Sequence, residues 1–235
     1  MKYGFYKHLS EIFPSQIMID VTEYCNLKCI HCPHPVFSES DLWTGAQLDI
    51  QTHKKLIDEI KKDGLEHCKY IRYTSNGEPL IHKKFIEMVQ YTNKTIPSIP
   101  INVTTNGRLL NEKRAIALLE AGVNVFDVSI DAFYNETYAK IRVKGDLNVT
   151  RENVLRLIKL IKNKKYNTKL VVSYVEQELN EKETNLFEEY WKKEGADFVV
   201  IRPQHSAAGA VEENALDIKN NQISKNVERK PCLYP

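Results

Sequence analysis

The sequence has no long apolar segment and no concentration of charge of one sign. None of its apolar runs approaches the roughly 20 residues of a membrane-spanning helix, and the 33 Lys and Arg residues are spread along the 235-residue chain. The formal net charge is only +2. We therefore expect no membrane association, and the charge gives no electrostatic case for a nucleic-acid partner.

Cysteine is also scarce, and residues 1–7 lack the apolar core of a secretory signal. A cytoplasmic location is therefore expected, in a reducing compartment where disulfides are rare. Three of the five Cys residues nevertheless lie close together, at Cys25, Cys29 and Cys32. In a reducing compartment this spacing favours a metal or cluster site over a disulfide framework.

Apolar patterns typical of strands and helices alternate along most of the chain. Strands are predicted over 16–21, 69–75, 101–105, 125–130, 168–175 and 198–202, and helices over 49–62, 82–92, 111–121, 136–141, 151–162 and 181–194. Six strands that alternate with helices indicate an α/β fold around one parallel sheet. We assign this core to residues 15–205, between an N-terminal extension, 1–14, and a short irregular C-terminal tail, 206–235.

The carboxyl ends of the predicted strands carry the chemically distinctive residues. They comprise a loop that contains the three Cys residues, 25–34, called here the Cys loop, and the segments Asn76–Pro79, Thr105–Gly107, Ser129–Asp131 and Arg202–His205. Ligands of parallel sheets bind at the carboxyl ends of the strands. These segments are therefore expected to form one shared site.

The Cys loop supplies Cys25, Cys29 and Cys32 as metal ligands. Three thiolates can hold a [4Fe–4S] cube by three corners and leave the fourth iron open to a small molecule. An electron-carrier cluster is disfavoured, because such clusters usually have four Cys ligands. A zinc site is a further alternative, since zinc takes four nitrogen or sulfur ligands. Its fourth ligand would be one of three side chains: His31, His34 or Cys232.

The spacing of three and then two residues between these Cys residues resembles the signature of the radical S-adenosylmethionine (radical SAM) enzymes. His31 stands before the third Cys, where that family usually has an aromatic residue. The resemblance covers about residues 15–205. It implies a partial (β/α)6, TIM-like barrel, a [4Fe–4S] cluster on the three Cys residues, and SAM on the open iron.

The stretch Asn76-Gly77-Glu78-Pro79 resembles the GGEP motif of this family, with Asn76 in place of the first Gly. The resemblance implies that Gly77, Glu78 and Pro79 bind the cofactor. In the family, backbone carbonyls and the Glu carboxylate accept hydrogen bonds from the α-ammonium of SAM. Without the resemblance, an Asn-Gly pair followed by Pro is also ordinary turn chemistry.

Two further stretches resemble the SAM-binding segments of the family. Ser129 and Arg142 match residues that bind the SAM carboxylate, a task that suits the planar fork of Arg. Asp131 is expected to order the loop or to meet the ribose or the substrate. Thr105 or Asn106, in a stretch that resembles the TTNG motif, is expected to contact SAM or the substrate. The residues alone equally indicate a helix N-cap at Asp131, a solvated Arg142 and a simple Asn-Gly turn.

The remaining polar and Cys residues are less specific. Arg202, Gln204 and His205 are expected to line the substrate side, with His205 in proton transfer or in a structural hydrogen bond. Cys68, at the opposite end of the predicted sheet, is expected to have no role. The segment around Cys232 resembles the start of the Cys-rich SPASM extension of many radical SAM proteins. The tail is therefore interpreted as the start of a truncated extension, with a stray thiol at Cys232 as the alternative. One Cys cannot hold a cluster, so no auxiliary cluster is assigned.

The resemblance also implies a reaction. An electron from a flavodoxin- or ferredoxin-like donor would cleave SAM to methionine and a 5′-deoxyadenosyl radical, which abstracts hydrogen from the substrate. We expect an oxidoreductase- or transferase-type enzyme that acts on a peptide or protein. The same chemistry on a sugar or aminocyclitol is the alternative small-molecule function. A non-catalytic zinc- or cluster-binding remnant is the alternative from another class.

Overall fold

The structure is a computed structural model that describes residues 12–74 and 76–205. Six of its strands form one sheet: β1 Gln16–Ile19, β3 Tyr70–Tyr73, β4 Ile101–Thr105, β5 Val125–Ser129, β7 Lys169–Glu176 and β8 Phe198–Pro203. They lie in the order β1-β3-β4-β5-β7-β8, and each neighbouring pair is parallel. β1 and β8 are the two edges, so the barrel is open, and the predicted fold class is confirmed.

Two short strands form a separate antiparallel ribbon: β2 Lys28–Cys29 and β6 Arg142–Val143. The helices are α1 His34–Phe37, α2 Ile50–Glu59, α3 Phe85–Thr95, α4 Glu112–Glu120, α5 Asn135–Ile141, α6 Leu147–Lys164 and α7 Thr184–Glu194. A π-helical turn follows α2 at Ile60–Gly64, and 3-10 turns lie at Pro79–Ile81 and Glu181–Glu183. Within the described residues, none of the helices combines the length and apolarity that crossing a membrane would need.

Local capping explains where the observed helices differ from the predicted ones. α6 begins at Leu147 rather than 151, because the Asp146 carboxylate accepts hydrogen bonds from two backbone N–H groups of the first turn. α3 begins at Phe85 rather than 82, since the 3-10 turn that starts at Pro79 precedes it. α1 and the β2–β6 ribbon were not predicted; they are too short to show a period.

The two faces of the sheet have opposite chemistry, because successive side chains of a strand point to opposite faces. One face is apolar and packs in the hydrophobic core, with Ile71, Val103, Phe126, Val128 and Val172 buried there. The opposite face, called here the polar face, is defined by five residues that hydrogen-bond across the strands: Arg72, Thr104, Asp127, Ser173 and Arg202. The carboxyl ends of the strands and this face position the site.

The predicted tail, including Cys232, lies outside the described residues, as does the N-terminal extension up to residue 11. The SPASM interpretation of the tail therefore remains a prediction from sequence.

Candidate functional site

The Cys loop and the preceding residue, Tyr24, are hydrogen-bonded to segments that follow three strands of the sheet. The Glu78 N–H after β3 donates to the Tyr24 carbonyl at 2.8 Å. After β4, the Asn106 side-chain amide donates to Asn26 Oδ1 at 2.8 Å. After β5, the Ile30 N–H donates to the Ile141 carbonyl at 3.0 Å, beside the β2–β6 ribbon. The loop and Tyr24 are thus hydrogen-bonded to Glu78, to Asn106 and to Ile141, the residue before Arg142.

The three thiols of the loop lie in one largely desolvated site. Cys29 is buried, and Cys25 and Cys32 are half-buried. Burial raises the pKa of Cys25 to about 11 and that of Cys29 to about 12, and it also raises the pKa of Cys32. Charge on either neighbouring thiol further raises the pKa of Cys29, so the sulfurs lie within electrostatic reach of one another. Without a cationic ligand these thiols would stay protonated.

The donor set fits a cluster better than a single ion. Within residues 12–74 and 76–205, no group of three or more His, Cys, Asp or Glu side chains converges to hold one metal ion. The predicted zinc alternative therefore finds no ligand set there. The three sulfurs of a [4Fe–4S] site bind different irons, whereas zinc draws four ligands to one point.

A buried donor beside the thiols has no partner in the described structure. Asn26 Oδ1 accepts from Asn106, but Asn26 Nδ2 is buried without a hydrogen bond. An unpaired buried donor is uncommon in native proteins. Its place in the Cys loop fits a bound group that offers acceptors, such as the sulfides of a cluster or the carboxylate of SAM.

Glu78 is the buried junction between the turns after β3 and β4. Its side chain is almost inaccessible, and its oxygens accept from Thr105 Oγ1 at 2.7 Å, Asn106 N at 2.8 Å and Leu80 N at 3.1 Å. Burial raises its pKa, and these three hydrogen bonds oppose the shift. A carboxylate has about four acceptor positions, so one is left for a ligand ammonium. The predicted contact with SAM stays a prediction.

The neighbouring residues of the predicted GGEP-like motif have clear structural reasons. A Cβ at Gly77 would lie 1.8 Å from the Thr22 carbonyl oxygen, so a side chain there would displace the backbone that precedes the Cys loop. Pro79 is buried and begins the 3-10 turn. Gly107, after Asn106, has φ +72°, in the left-handed region that favours glycine. The turns after β3 and β4 are therefore tight, and the first of them packs directly against the backbone that precedes the Cys loop.

Asp131 is a fully buried hub at the end of β5, with φ +63°. Its Oδ2 accepts from Arg142 Nε at 2.8 Å and from Arg142 Nη2, and lies 3.3 Å from His31 Nε2. Its Oδ1 accepts from the Val175 N–H at 2.8 Å. The alternative of a helix N-cap at Asp131 and a solvated Arg142 is wrong, because the N-cap of α5 is Tyr134 and Arg142 is buried.

Arg142 faces both this carboxylate and the Cys loop. Its Nη1 lies 3.8 Å from Cys29 Sγ, in hydrogen-bonding geometry for sulfur. The edge of the guanidinium formed by Nε and Nη2 is taken by Asp131, so a SAM carboxylate would have to use the end formed by Nη1 and Nη2. Ser129, the other predicted carboxylate ligand, is half-buried at the end of β5 and lies opposite Ser173 of β7.

The residues at the end of β8 and just after it include three predicted site residues: Arg202, Gln204 and His205. Burial is the largest cause of the lowered pKa of His31, and charge on His205 contributes to it. Gln204 is buried, and its N–H donates to the Glu176 carbonyl at 2.9 Å. Arg202 is exposed on the polar face. Cys68 is buried just before β3, at the opposite end of the sheet, as predicted.

Sequence reasoning missed several polar residues of the site. Arg72 and Asp127 interrupt apolar strands, and that interruption was a usable signal for the polar face. Gln177 and Asn180 gave no such signal. Gln177 Nε2 lies 3.5 Å from His31 Nδ1, and Asn180 Nδ2 donates to the Asp131 carbonyl at 2.8 Å. Gln177 thus contacts the Cys loop itself, and Asn180 fixes the backbone of Asp131.

Comparisons with known proteins agree on one family. The sequence profile of the radical SAM superfamily matches residues 19–187. The GTP 3′,8-cyclase of Alkaliphilus metalliredigens is 29% identical over 218 residues, which cover 89% of this chain and 62% of that protein. The GTP 3′,8-cyclase of Pelotomaculum thermopropionicum is 36% identical over 132 residues, 56% of this chain and 38% of that protein. The chain thus spans less than two thirds of the length of these relatives.

Solved structures show the same fold at low identity. Streptococcus suis SuiB bound to the precursor peptide SuiA has a TM-score of 0.69 at 14% identity, covering 94% of this chain and 47% of SuiB. The protein anSMEcpe with bound SAM has a TM-score of 0.63 at 22% identity, covering 82% of this chain and 52% of that one. At these identities the likeness concerns the fold alone.

Proposed function

This chain belongs to the radical SAM superfamily, and on that premise we propose that it generates a 5′-deoxyadenosyl radical that abstracts hydrogen from a peptide or protein. The family's cofactors are a [4Fe–4S] cluster and SAM. The proposed cluster ligands are Cys25, Cys29 and Cys32. The proposed SAM-binding residues are Gly77, Glu78, Pro79, Asn106, Ser129, Asp131 and Arg142.

One observation carries this proposal: the Cys loop, together with Tyr24 before it, is hydrogen-bonded to Glu78, to Asn106 and to the residue before Arg142. A cluster on the loop would therefore lie beside the ends of β3, β4 and β5. When bound, the cluster and SAM supply one-electron cleavage of the S–C5′ bond. The donor is proposed to be a flavodoxin- or ferredoxin-like protein, and the cytoplasmic location remains a prediction.

The chain's own residues would bind and orient SAM. Glu78 has one acceptor position left for the ammonium, and Arg142 has the end of its guanidinium left for the carboxylate. Both side chains are buried, so their charges act at low effective dielectric, where they are worth more than in water.

The substrate is the less constrained half of the proposal. The preference for a peptide or protein rests on the resemblance of the sequence to peptide-modifying members, and a sugar or aminocyclitol is the alternative from the same argument. The oxidoreductase or transferase class depends on which substrate is correct.

A second candidate, a phosphorylated nucleotide, is favoured by the charge of the polar face. Arg72 and Arg202 lie on either side of Asp127 and Ser173, which leaves one positive charge in excess. Guanidinium groups pair well with phosphate oxygens. The names of the curated relatives specify GTP, so GTP is the probe for this candidate.

The radical chemistry is tested by anaerobic reconstitution of the full chain with iron and sulfide, followed by SAM and dithionite. We expect about four irons per chain and release of 5′-deoxyadenosine. Cys29→Ala should lose both, and Cys68→Ala, which alters a thiol outside the site, should lose neither. A colourless protein that holds one zinc would contradict the proposal and support the non-catalytic alternative.

The substrate is tested by transfer of deuterium into 5′-deoxyadenosine. Transfer from a deuterated precursor peptide encoded beside the gene supports the peptide proposal. Transfer from deuterated GTP instead supports the nucleotide candidate, in which case Arg72→Gln should weaken GTP binding. Arg156→Gln is the matched control, because it removes the same charge from the outer groove between α4 and α6.

A further inference from the structure

The contact between Arg142 and Cys29 is distinct from the binding of the SAM carboxylate proposed above, although Nη1, which carries two N–H donors, belongs to both. Arg142 Nη1 lies 3.8 Å from Cys29 Sγ, while Nε and Nη2 are held by one oxygen of Asp131. The backbone reinforces the contact, since Cys29 and Arg142 are paired residues of the β2–β6 ribbon. Cys29 is the most deeply buried thiol of the Cys loop.

The position of the Arg142 side chain is fixed by Asp131, which is itself held by two hydrogen bonds. The Asp131 carboxylate that holds it is itself fixed by the Val175 N–H at 2.8 Å. The Asn180 side-chain amide bonds the Asp131 carbonyl at 2.8 Å, which fixes the backbone of the same residue. Both members of the ion pair are buried, so the guanidinium cannot swing to water without leaving a buried carboxylate unpaired.

We propose that Arg142 sets the reduction potential of the cluster by donating a hydrogen bond to the sulfur of Cys29, and that Asp131 is the positioning residue that holds it there. The proposal rests on the proposed function, because it requires a cluster on Cys25, Cys29 and Cys32. It assigns these two residues a role that does not depend on which substrate is bound.

The physical reason is the charge that reduction adds. One electron from an external donor converts the oxidised cluster to the reduced form, which carries one more negative charge. A hydrogen bond and a positive charge at a ligand sulfur stabilise that form and raise the potential. The Asp131 carboxylate opposes this effect, but the guanidinium lies between it and the sulfur, so the guanidinium has the larger influence.

The test is a potentiometric titration of the reconstituted full chain with dithionite, followed by electron paramagnetic resonance of the reduced cluster. The variants are Arg142→Gln, Asp131→Asn, the double variant and Arg142→Lys, with Arg156→Gln as the control. Iron content and circular dichroism are measured on each, so that folding and assembly are known before the midpoints are compared.

We expect the midpoint potentials to fall in a fixed order. Asp131→Asn should lie highest, because the Asn oxygen can still accept from the guanidinium and hold it at the sulfur while the opposing negative charge is gone. The wild type should follow. The double variant should lie below the wild type, since the hydrogen bond to sulfur is gone while the net charge is unchanged. Arg142→Gln should lie lowest, with the reduced fraction at a fixed solution potential at least tenfold smaller, about 59 mV for one electron.

The control and the conservative variant complete the test. Arg156→Gln should leave the midpoint unchanged, and Arg142→Lys should restore part of it because the charge remains. Variants that bind full iron at the wild-type midpoint would overturn this proposal and leave the proposed function intact. If Arg142→Gln does not fold, the double variant, which leaves no buried charge unpaired, decides in the same way. A wild-type chain that binds no cluster would overturn both proposals.

Discussion

Two Arg–Asp ion pairs have different surroundings, one in the sheet and one beyond its carboxyl edge, between the turn after β5 and the β2–β6 ribbon. The Arg142–Asp131 pair is sealed, with side chains 7% and 0% exposed. The Arg72–Asp127 pair on the polar face is more open, with side chains 25% and 5% exposed. The two members of the buried pair stay paired with each other, so only the free end of the guanidinium can contact a neighbour or a ligand, whereas a more open pair can exchange one partner for a ligand. The four predictions below test that difference, in order of expected effect.

Breaking the sealed pair should have the largest effect on stability. Arg142→Ala leaves the buried Asp131 carboxylate without its counter-charge, which typically costs about 3–5 kcal/mol. The measurement is urea unfolding of the chain before cluster assembly. The double variant Asp131→Asn, Arg142→Ala should recover part of this loss, and a loss below about 1 kcal/mol in the single variant would contradict the assignment of a sealed pair.

His53 is a buried titratable side chain without an acidic partner among the described residues, so it shows what burial without a counter-charge does to stability. His53 is fully buried, its Nε2 lies 2.8 Å from the Tyr73 hydroxyl, and burial lowers its pKa to about 4. Because the folded state binds this proton less tightly than the unfolded state, the stability is present above pH 6.5 and is lost as the pH falls towards 4.

We expect this loss to be about 2–3 kcal/mol between those limits, measured as the urea midpoint against pH. His53→Gln keeps a polar partner for Tyr73 and should flatten the profile in that window. An unchanged slope in the variant would show that other groups are responsible.

Breaking the open pair should cost less. In Arg72→Gln, water reaches Asp127 more easily, so we expect a loss of about 1–2 kcal/mol. The iron content of the reconstituted chain should stay at the wild-type level, because Arg72 contacts Thr104 and Asp127 rather than the Cys loop. Urea unfolding and iron analysis check the two statements, and a loss equal to that of Arg142→Ala would erase the difference between the pairs.

An exposed pair sets the lower limit of the series. Lys192 and Glu188 are one helical turn apart on α7, and their side chains are 61% and 35% exposed. Glu188→Gln should therefore change the stability by no more than about 0.5 kcal/mol. Salt should remove this small effect while it leaves that of Arg142→Ala largely unchanged, which thermal unfolding at two salt concentrations can show.

The fold and the proximity of the strand-end segments could be predicted because they depend on periodic patterns and local motifs. Alternating apolar residues specify the strands of the sheet, and the spacing of Cys25, Cys29 and Cys32 was sufficient to suggest the family. The strand-end segments meet at one edge because parallel strands all end there. These inferences need only residue type and order.

The partners within the site could not be predicted in the same way. Nothing in the sequence shows that Asp131 adopts φ +63° or that its carboxylate turns to Arg142 rather than to α5. Gln177 and Asn180 lie in a polar turn after β7, where many residues of that type are only solvated. Such contacts depend on the packing of distant segments, so residue type alone does not determine them.

The bond between Arg142 and Cys29 joins positions that are 113 residues apart. During synthesis the three thiols leave the ribosome long before the strand that carries Arg142 exists. In a nascent chain the three sulfurs therefore lack this contact until synthesis has passed Arg142. Iron and sulfide delivered at that stage would find three Cys ligands that are not yet held in place. We therefore expect cluster insertion to follow the formation of β5 and β6.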